Sequence, residues 1–317
     1  MLTVVFGLGS ALGYALHDFL MVKVVRAVAL WTAMSWSMAV GLVILLPLAL
    51  VLYGPPAGAA EWRAAGFAMA GGLCEAAALA CLLRGLVTGN LSIVTPLASL
   101  AGGIVAVIAI IGGETLSTPA LIGLPLAVAG GLLASVEKAP AEEVFGLGGG
   151  PEAIDGVAVA GAPGAPAAVA GAEPRAPVPR ARGTSGAGWA LLSSVLFAVV
   201  ILLLAQASAL HPVAIAAFGR LGTMVLLLPV ALLLGGLRLP RRLAGRCGIA
   251  GVFDATAFIL FAAAIAIGPL AVASVVIAQG GTMAVLLGYL MLHERLSRLQ
   301  YVGVACTCVA CTLLAIG

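Results

Sequence analysis

The sequence predicts an all-α integral membrane protein with ten transmembrane helices arranged as two inverted five-helix repeats. Three observations lead there. First, 63% of the 317 residues are hydrophobic, only 9% are charged, and 42 more are glycine. A soluble domain carries about 25% charged residues and could not cover its surface with so few. This composition excludes a soluble enzyme and a nucleic-acid binder. Second, ten apolar runs are each long enough to cross about 30 Å of hydrocarbon. Third, the two halves of the chain share a spaced motif and flank one long segment of different composition.

The runs fall at about 3–22, 28–53, 62–85, 91–112 and 118–136, then 188–209, 213–236, 245–267, 270–293 and 298–316. Gly54-Pro55-Pro56, Gly89-Asn90, Ser117-Thr118-Pro119 and His211-Pro212 punctuate the gaps. These are too long and too evenly apolar for barrel strands. The first run starts at Leu2 with no basic residues before it, because Lys23 and Arg26 follow it. It reads as a membrane helix rather than a signal peptide. Between the fifth and sixth runs, 137–187 is dominated by Ala, Gly and Pro and lacks apolar periodicity. Such a segment cannot bury enough surface to fold, so it reads as a disordered linker between halves 1–136 and 188–317.

The halves echo one another. Glu114-Thr115-Leu116-Ser117 followed by Gly123 matches Glu294-Arg295-Leu296-Ser297 followed by Gly303. Gly72-Leu73-Cys74-Glu75 aligns with Gly251-Val252-Phe253-Asp254. An odd number of crossings per half makes the halves face opposite ways. In transporters that arrangement sets the binding site near the midplane, between the repeats.

The run Arg84-Gly85 through Asn90-Leu91-Ser92-Ile93-Val94-Thr95-Pro96-Leu97-Ala98-Ser99, with Gly113-Glu114 and Gly123, resembles the EamA-type repeat of the drug/metabolite transporter superfamily. Gly268-Pro269-Leu270-Ala271-Val272-Ala273-Ser274, with Leu292-His293-Glu294 and Gly303, resembles it again. The resemblance implies a secondary carrier of small organic solutes. Arg220 matches an arginine often seen early in the second helix of such repeats, and in the first half the aligned position is Ser35. The linker is longer than is usual between such halves.

Candidate functional residues are those whose presence in lipid needs a reason. Glu75 and Asp254 fall mid-run, where an acidic side chain costs about 2.5–3.5 kcal/mol and must face a partner or a water-filled cavity. They are expected to line a central cavity and to bind protons or substrate. Arg220 either clamps an anionic group of a substrate or pairs with Asp254. Tyr14, His17 and Asp18 form a cluster that is a gate, a proton relay or an interfacial patch. Ser99 and Gln279 occupy equivalent places, and Gln206 is a third buried polar candidate. Trp31 and Trp36 either shape a cavity or sit at the membrane interface. Glu114 and Glu294 are expected to act locally at helix turns. Gly102-Gly103 and Gly280-Gly281 are expected to let their helices approach closely and bend.

Of the six cysteines, Cys308 and Cys311 have metal-like spacing but lie in an apolar run, which favours packing. No cofactor or metal is expected, and no phosphate-binding loop or hydrolase motif argues for an enzyme. The expected partners are the lipid bilayer, a small-molecule substrate and protons as coupling ion. Arginine outnumbers lysine 13 to 2 in an Ala- and Gly-rich chain, which points to a bacterial source and its cytoplasmic membrane. Orientation has two readings. The excess of basic residues in the loops on the linker side makes that side cytoplasmic, whereas the family resemblance makes both termini cytoplasmic.

Overall fold

The computed structural model describes residues 1–25, 27–88, 91–135, 185–234, 236–292 and 296–317. The linker expected at 137–187 lies outside the described residues as far as 184, as do Arg26, Asn90, Glu294 and Arg295. Twelve helices are described: α1 (Leu2–Val25), α2 (Leu30–Tyr53), α3 (Ala59–Thr88), α4 (Leu91–Ala98), α5 (Ala101–Ile111) and α6 (Thr118–Ser135), then α7 (Ser185–Ala205), α8 (Pro212–Leu234), α9 (Arg241–Ile267), α10 (Leu270–Ile277), α11 (Gly280–Leu292) and α12 (Arg298–Ile316). Among the described residues nine stretches are long and apolar enough to span a membrane, with Pro96–Ile111 a shorter tenth. No strand occurs among them. The chain is an all-helical, multi-pass membrane protein.

The polarity of the packing is that of a protein in lipid. Val51, Ile111 and Leu233 are each at least 80% exposed, while Arg220, Asp254, Glu75, His17 and Gln279 are buried. The apolar surface meets the acyl chains, and the few polar groups face inward where other groups can satisfy them.

Helices α2 and α8 share punctuation at an offset of 182 residues. Leu30 and Pro212 open them, Pro47 and Pro229 interrupt them, and Gly54 and Gly236 follow them with positive φ of 73° and 67°. They run antiparallel. Thr32 Oγ1 donates to Gly236 O at 2.6 Å and Trp36 Nε1 to Leu237 O at 2.9 Å, while at the other end Tyr53 pairs with His211 Nε2 at 3.0 Å. Trp36 therefore ties two helices at the rim of the bundle. Around this pair α1 packs on α9 and α3 on α7, α3 packs on α8 and α2 on α9, and α6 packs on α12. Each cross-half pairing is matched when the halves are exchanged.

The fourth and ninth apolar runs are not continuous helices. The first divides into α4 and α5 around Ser99-Leu100, the second into α10 and α11 around Ala278-Gln279. At each break an amide reaches back only three residues, Leu100 N to Leu97 O at 3.3 Å and Gln279 N to Val276 O at 3.1 Å. This tightened turn re-aims the following helix. In the first case Pro96 also removes a helical donor. The helices thus break just before the Gly-Gly pairs, but the close approach expected at Gly280-Gly281 is absent, since nothing lies within 4 Å of a Cβ added at either. Gly102 brings α5 against α10, since a Cβ there would lie 2.5 Å from Ser274 O.

Two further expectations change. Gln206 is not buried but exposed in the turn after α7, which ends at Ala205. Glu114 does not act locally: its Oε2 accepts from Ala271 N at 3.1 Å, in the first turn of α10. A carboxylate there satisfies an otherwise free donor and complements the helix dipole. The final helices instead use serines. Ser297 and Gln300 form a reciprocal capping box on α12, and Ser117 Oγ accepts from Ala120 N at 3.4 Å on α6.

Helix contact here depends on missing side chains. A Cβ on Gly72 of α3 would collide with Gly219 O and lie 2.7 Å from Thr223 N of α8. In lipid, helices associate through such close packing rather than through the hydrophobic effect. We predict that Gly72→Val destabilises the purified protein by at least about 1–3 kcal/mol, read as a lower melting temperature in detergent. Gly66→Ala, on a face where nothing lies within 4 Å of the new methyl, should leave it unchanged or raise it.

Candidate functional site

The close contact at Gly72 sets the geometry of the buried centre. One turn further along α3, Glu75 Oε2 receives Arg220 Nη1 at 2.6 Å and Thr223 Oγ1 at 2.8 Å, both from α8. Gly251 does the corresponding work on α9, where a Cβ would lie 2.5 Å from Ser37 O of α2. One turn beyond it, Asp254 Oδ1 receives Arg220 Nη2 at 2.7 Å. Phe258, one turn further still, lies under the guanidinium with its ring centroid 4.2 Å from Cζ. Gly219 makes room for that ring, and a cation over an aromatic face is favourable in a dry site.

Arg220 is 0% exposed, Asp254 1% and Glu75 7%. At 1.5 Å per residue the two acids lie about 24 Å along α3 and about 20 Å along α9, near the middle of the bundle. Two carboxylates on one guanidinium leave a formal charge of −1 when all are ionised. Burying unpaired charge is costly, and a single proton on one acid makes the group neutral. The two acids are not equivalent. Glu75 also has Thr223, whereas Asp254 Oδ2 is buried without a hydrogen-bond partner, as is Arg220 Nε. The position on α2 that matches Thr223 is Gly41, which has no side chain to offer. A Cβ there would sit 3.4 Å from Asp254 Oδ2.

The same offset of 182 corrects the alignment at Arg220. Ser37 meets Gly251 as Gly219 meets Gly72, so Arg220 is matched by Met38, not by Ser35. Met38 is buried with Met224 and Leu227. One half supplies the cation and both supply an acid.

Other candidate residues divide into two groups. Tyr14 of α1 packs against the same core and lies in the field of Arg220, Glu75 and Asp254. His17, 4% exposed, bonds through Nδ1 to Asp18 Oδ1 at 2.9 Å and through Nε2 to Ser37 Oγ at 2.8 Å. These residues adjoin the centre. Ser99 and Gln279 do not. Ser99 Oγ donates to Pro96 O at 2.8 Å, across the α4–α5 break. Gln279 donates to Ala127 O at 3.1 Å and accepts from Thr282 and Thr307, joining α10 and α11 to α6 and α12. Thr223, Ser37, Phe258 and Gly41 are the site residues that sequence reasoning missed. The repeated Gly-x-x-acid spacing could have pointed to the surfaces those glycines contact.

The expected open cavity at Glu75 and Asp254 is not present in this conformation. A cleft of about 200 Å³ lies between Tyr53, Glu61, His211, Ala214 and Phe218, and one of about 140 Å³ near Thr3, Ser117 and Pro269. Both lie on the side of the termini, and neither is lined by the ionic centre.

Because Arg220 offsets two buried acids, its loss leaves both uncompensated. Arg220→Met should lower stability by about 3–5 kcal/mol, measured by thermal unfolding in detergent. Adding Glu75→Gln and Asp254→Asn should recover most of that loss. A triple variant no more stable than the single would show that the centre is not held by charge balance.

Comparison with known proteins bears on both fold and family. A solved crystal structure, described only as that of a protein, superposes with a TM-score of 0.70 at 13% identity, over 99% of this chain and 97% of its own. At that identity the likeness concerns the fold alone. No curated protein matches the chain. The model of the EamA-like transporter family matches residues 184–316, from the start of α7 to the end of α12. A multi-pass helical membrane protein with this centre thus has a second half that is similar to the EamA-like transporter family.

Proposed function

We propose that the protein is a proton-coupled secondary transporter of small organic solutes, working by alternating access between two inverted repeats. One observation carries this reading: each half contributes a buried carboxylate to a single arginine, and one carboxylate oxygen has no partner. A centre with net charge −1 takes up a proton readily. Protonating Asp254 weakens its hold on Arg220 and so loosens α9 from α8, which couples a proton to relative movement of the halves. The tightened turns at Ser99 and Gln279 are joints at which α4–α5 and α10–α11 flex.

Arg220 Nε and its face towards Asp254 suit a substrate carboxylate or phosphate that replaces Asp254 as acceptor once that acid is protonated. The substrates are metabolites, amino acids or drug-like molecules with an anionic group, and the direction is efflux. The membrane is the cytoplasmic membrane of a bacterium, and residues 1–136 form the first repeat. A passive facilitator is the second reading, but it leaves the unpartnered acid without a role.

In liposomes with an imposed pH gradient, pooled anionic metabolites should be taken up saturably and in proportion to the gradient. Glu75→Gln with Asp254→Asn should abolish the response to the gradient, a loss of about a hundredfold in driven rate. Full-rate transport in the double variant would refute the proposal. Flux that neither saturates nor follows the gradient would identify a channel.

A further inference from the structure

Asp18 occupies an unexpected position on α1. Residues 4, 7, 11, 14 and 18 share one face of that helix by their spacing of three and four. Val4, Gly7 and Ala11 on this face are buried and Tyr14 is half-buried, yet the Asp18 side chain is 66% exposed. The lipid-facing stripe of α1, with Val5, Leu12 and Lys23, lies elsewhere around the helix. The inward face of α1 therefore opens at Asp18, one turn from Tyr14, and α1 continues from there towards Val25 and the linker side. An ionisable residue at such a place calls for water or a polar partner rather than acyl chains.

From that opening a line of groups runs inward. Asp18 Oδ1 meets His17 Nδ1 at 2.9 Å, and His17 Nε2 meets Ser37 Oγ at 2.8 Å. His17 and Ser37 are both buried. One turn along α2 from Ser37, Gly41 faces Asp254 Oδ2, the buried oxygen without a partner. Ser37 and Gly41 lie one helical turn, about 5.4 Å, apart along α2, and the room left by the missing side chain of Gly41 suits a bridging water.

We propose that Asp18, His17 and Ser37 form a proton path from the linker-side opening to Asp254. The inference rests on the reading of Asp254 as the coupling acid and adds the route by which its proton arrives. Each hop forms one bond to hydrogen and breaks one. The proton on Asp18 moves to His17 Nδ1, the proton on Nε2 moves to Ser37 Oγ, and the Ser37 hydroxyl proton passes through the water to Asp254 Oδ2. Asp18 ends as carboxylate, Asp254 as carboxylic acid, and the imidazole as its other tautomer. The ring resets by turning towards the opening, where Nε2 takes up a proton and Nδ1 releases one to water.

The charged and titratable groups facing Asp254 are Arg220 from α8, Glu75 from α3 and Tyr14, His17 and Asp18 from α1. From α2, Gly41 faces it, and that helix carries no charged or histidine side chain. The path therefore has one titratable entry and one titratable end.

The test follows the carboxylic-acid carbonyl band of Asp254 by time-resolved infrared spectroscopy after a pH drop. The full-length protein is used in bilayers, and the band is assigned by its loss in Asp254→Asn. In the wild type the band grows rapidly. His17→Gln and Ser37→Ala should each slow it about a hundredfold without changing its final height, and Ser37→Thr, which keeps the hydroxyl, should restore the rate. Wild-type rates in both His17→Gln and Ser37→Ala overturn the path while leaving Asp254 as the coupling acid. If no band disappears in Asp254→Asn, that acid does not titrate, and the coupling reading fails together with the path.

Discussion

Arg220 organises the interior of this protein. A guanidinium stays charged under all ordinary conditions, so once it is placed in the middle of an apolar bundle everything near it must answer to it. Its two Nη groups reach acids on α3 and α9, one from each half, and Phe258 covers its face. These contacts need unusually short helix separations. The glycines at 72, 219 and 251 provide them by leaving out side chains that would collide with a neighbouring helix or ring. The backbone packing and the ionic centre are therefore one constraint: widening the contact at Gly72 also draws Glu75 away from its two donors.

That centre is stable but poised. An arginine between two carboxylates is favourable relative to any version with one member missing, and less favourable than a neutral packed core. Retaining it in a membrane argues for a use beyond stability. The asymmetry between the two acids suggests what the use is. Thr223 completes the partners of Glu75, whereas Gly41 leaves Asp254 Oδ2 without one. The two halves differ at Gly41 and Thr223, the pair that leaves one acid with a buried oxygen lacking a hydrogen-bond partner.

Much of the architecture was legible in the sequence because lipid makes polarity conspicuous. Glu75, Asp254 and Arg220 stand out as charges in the middle of apolar runs, and the structure joins all three. The helices themselves follow from run length. Less visible was anything carried by common residues. Thr223 and Ser37 are hydroxyls among many, and Gly41 acts through an absent atom. Glu114 was read as local because its neighbours are turn residues, yet its partner Ala271 lies 157 positions away. The weak similarity between the halves aligns Ser35 with Arg220. The paired prolines and terminal glycines of α2 and α8 fix the register instead and set Met38 in that place. Cavity shape was not legible at all, because it depends on how side chains pack in a conformation and not on composition.

The central claim is that protonation of this one ionic centre moves the two halves. Pulsed electron resonance between spin labels tests it most directly, in a cysteine-free background. One pair sits on the terminus side at Ala57 and Ala209, another on the linker side at Ala27 and Arg238, all exposed. The account predicts that lowering the pH shifts the two distances in opposite directions, and that Asp254→Asn abolishes this response. Distances that ignore pH in the wild type, or that respond equally in Asp254→Asn, would contradict it.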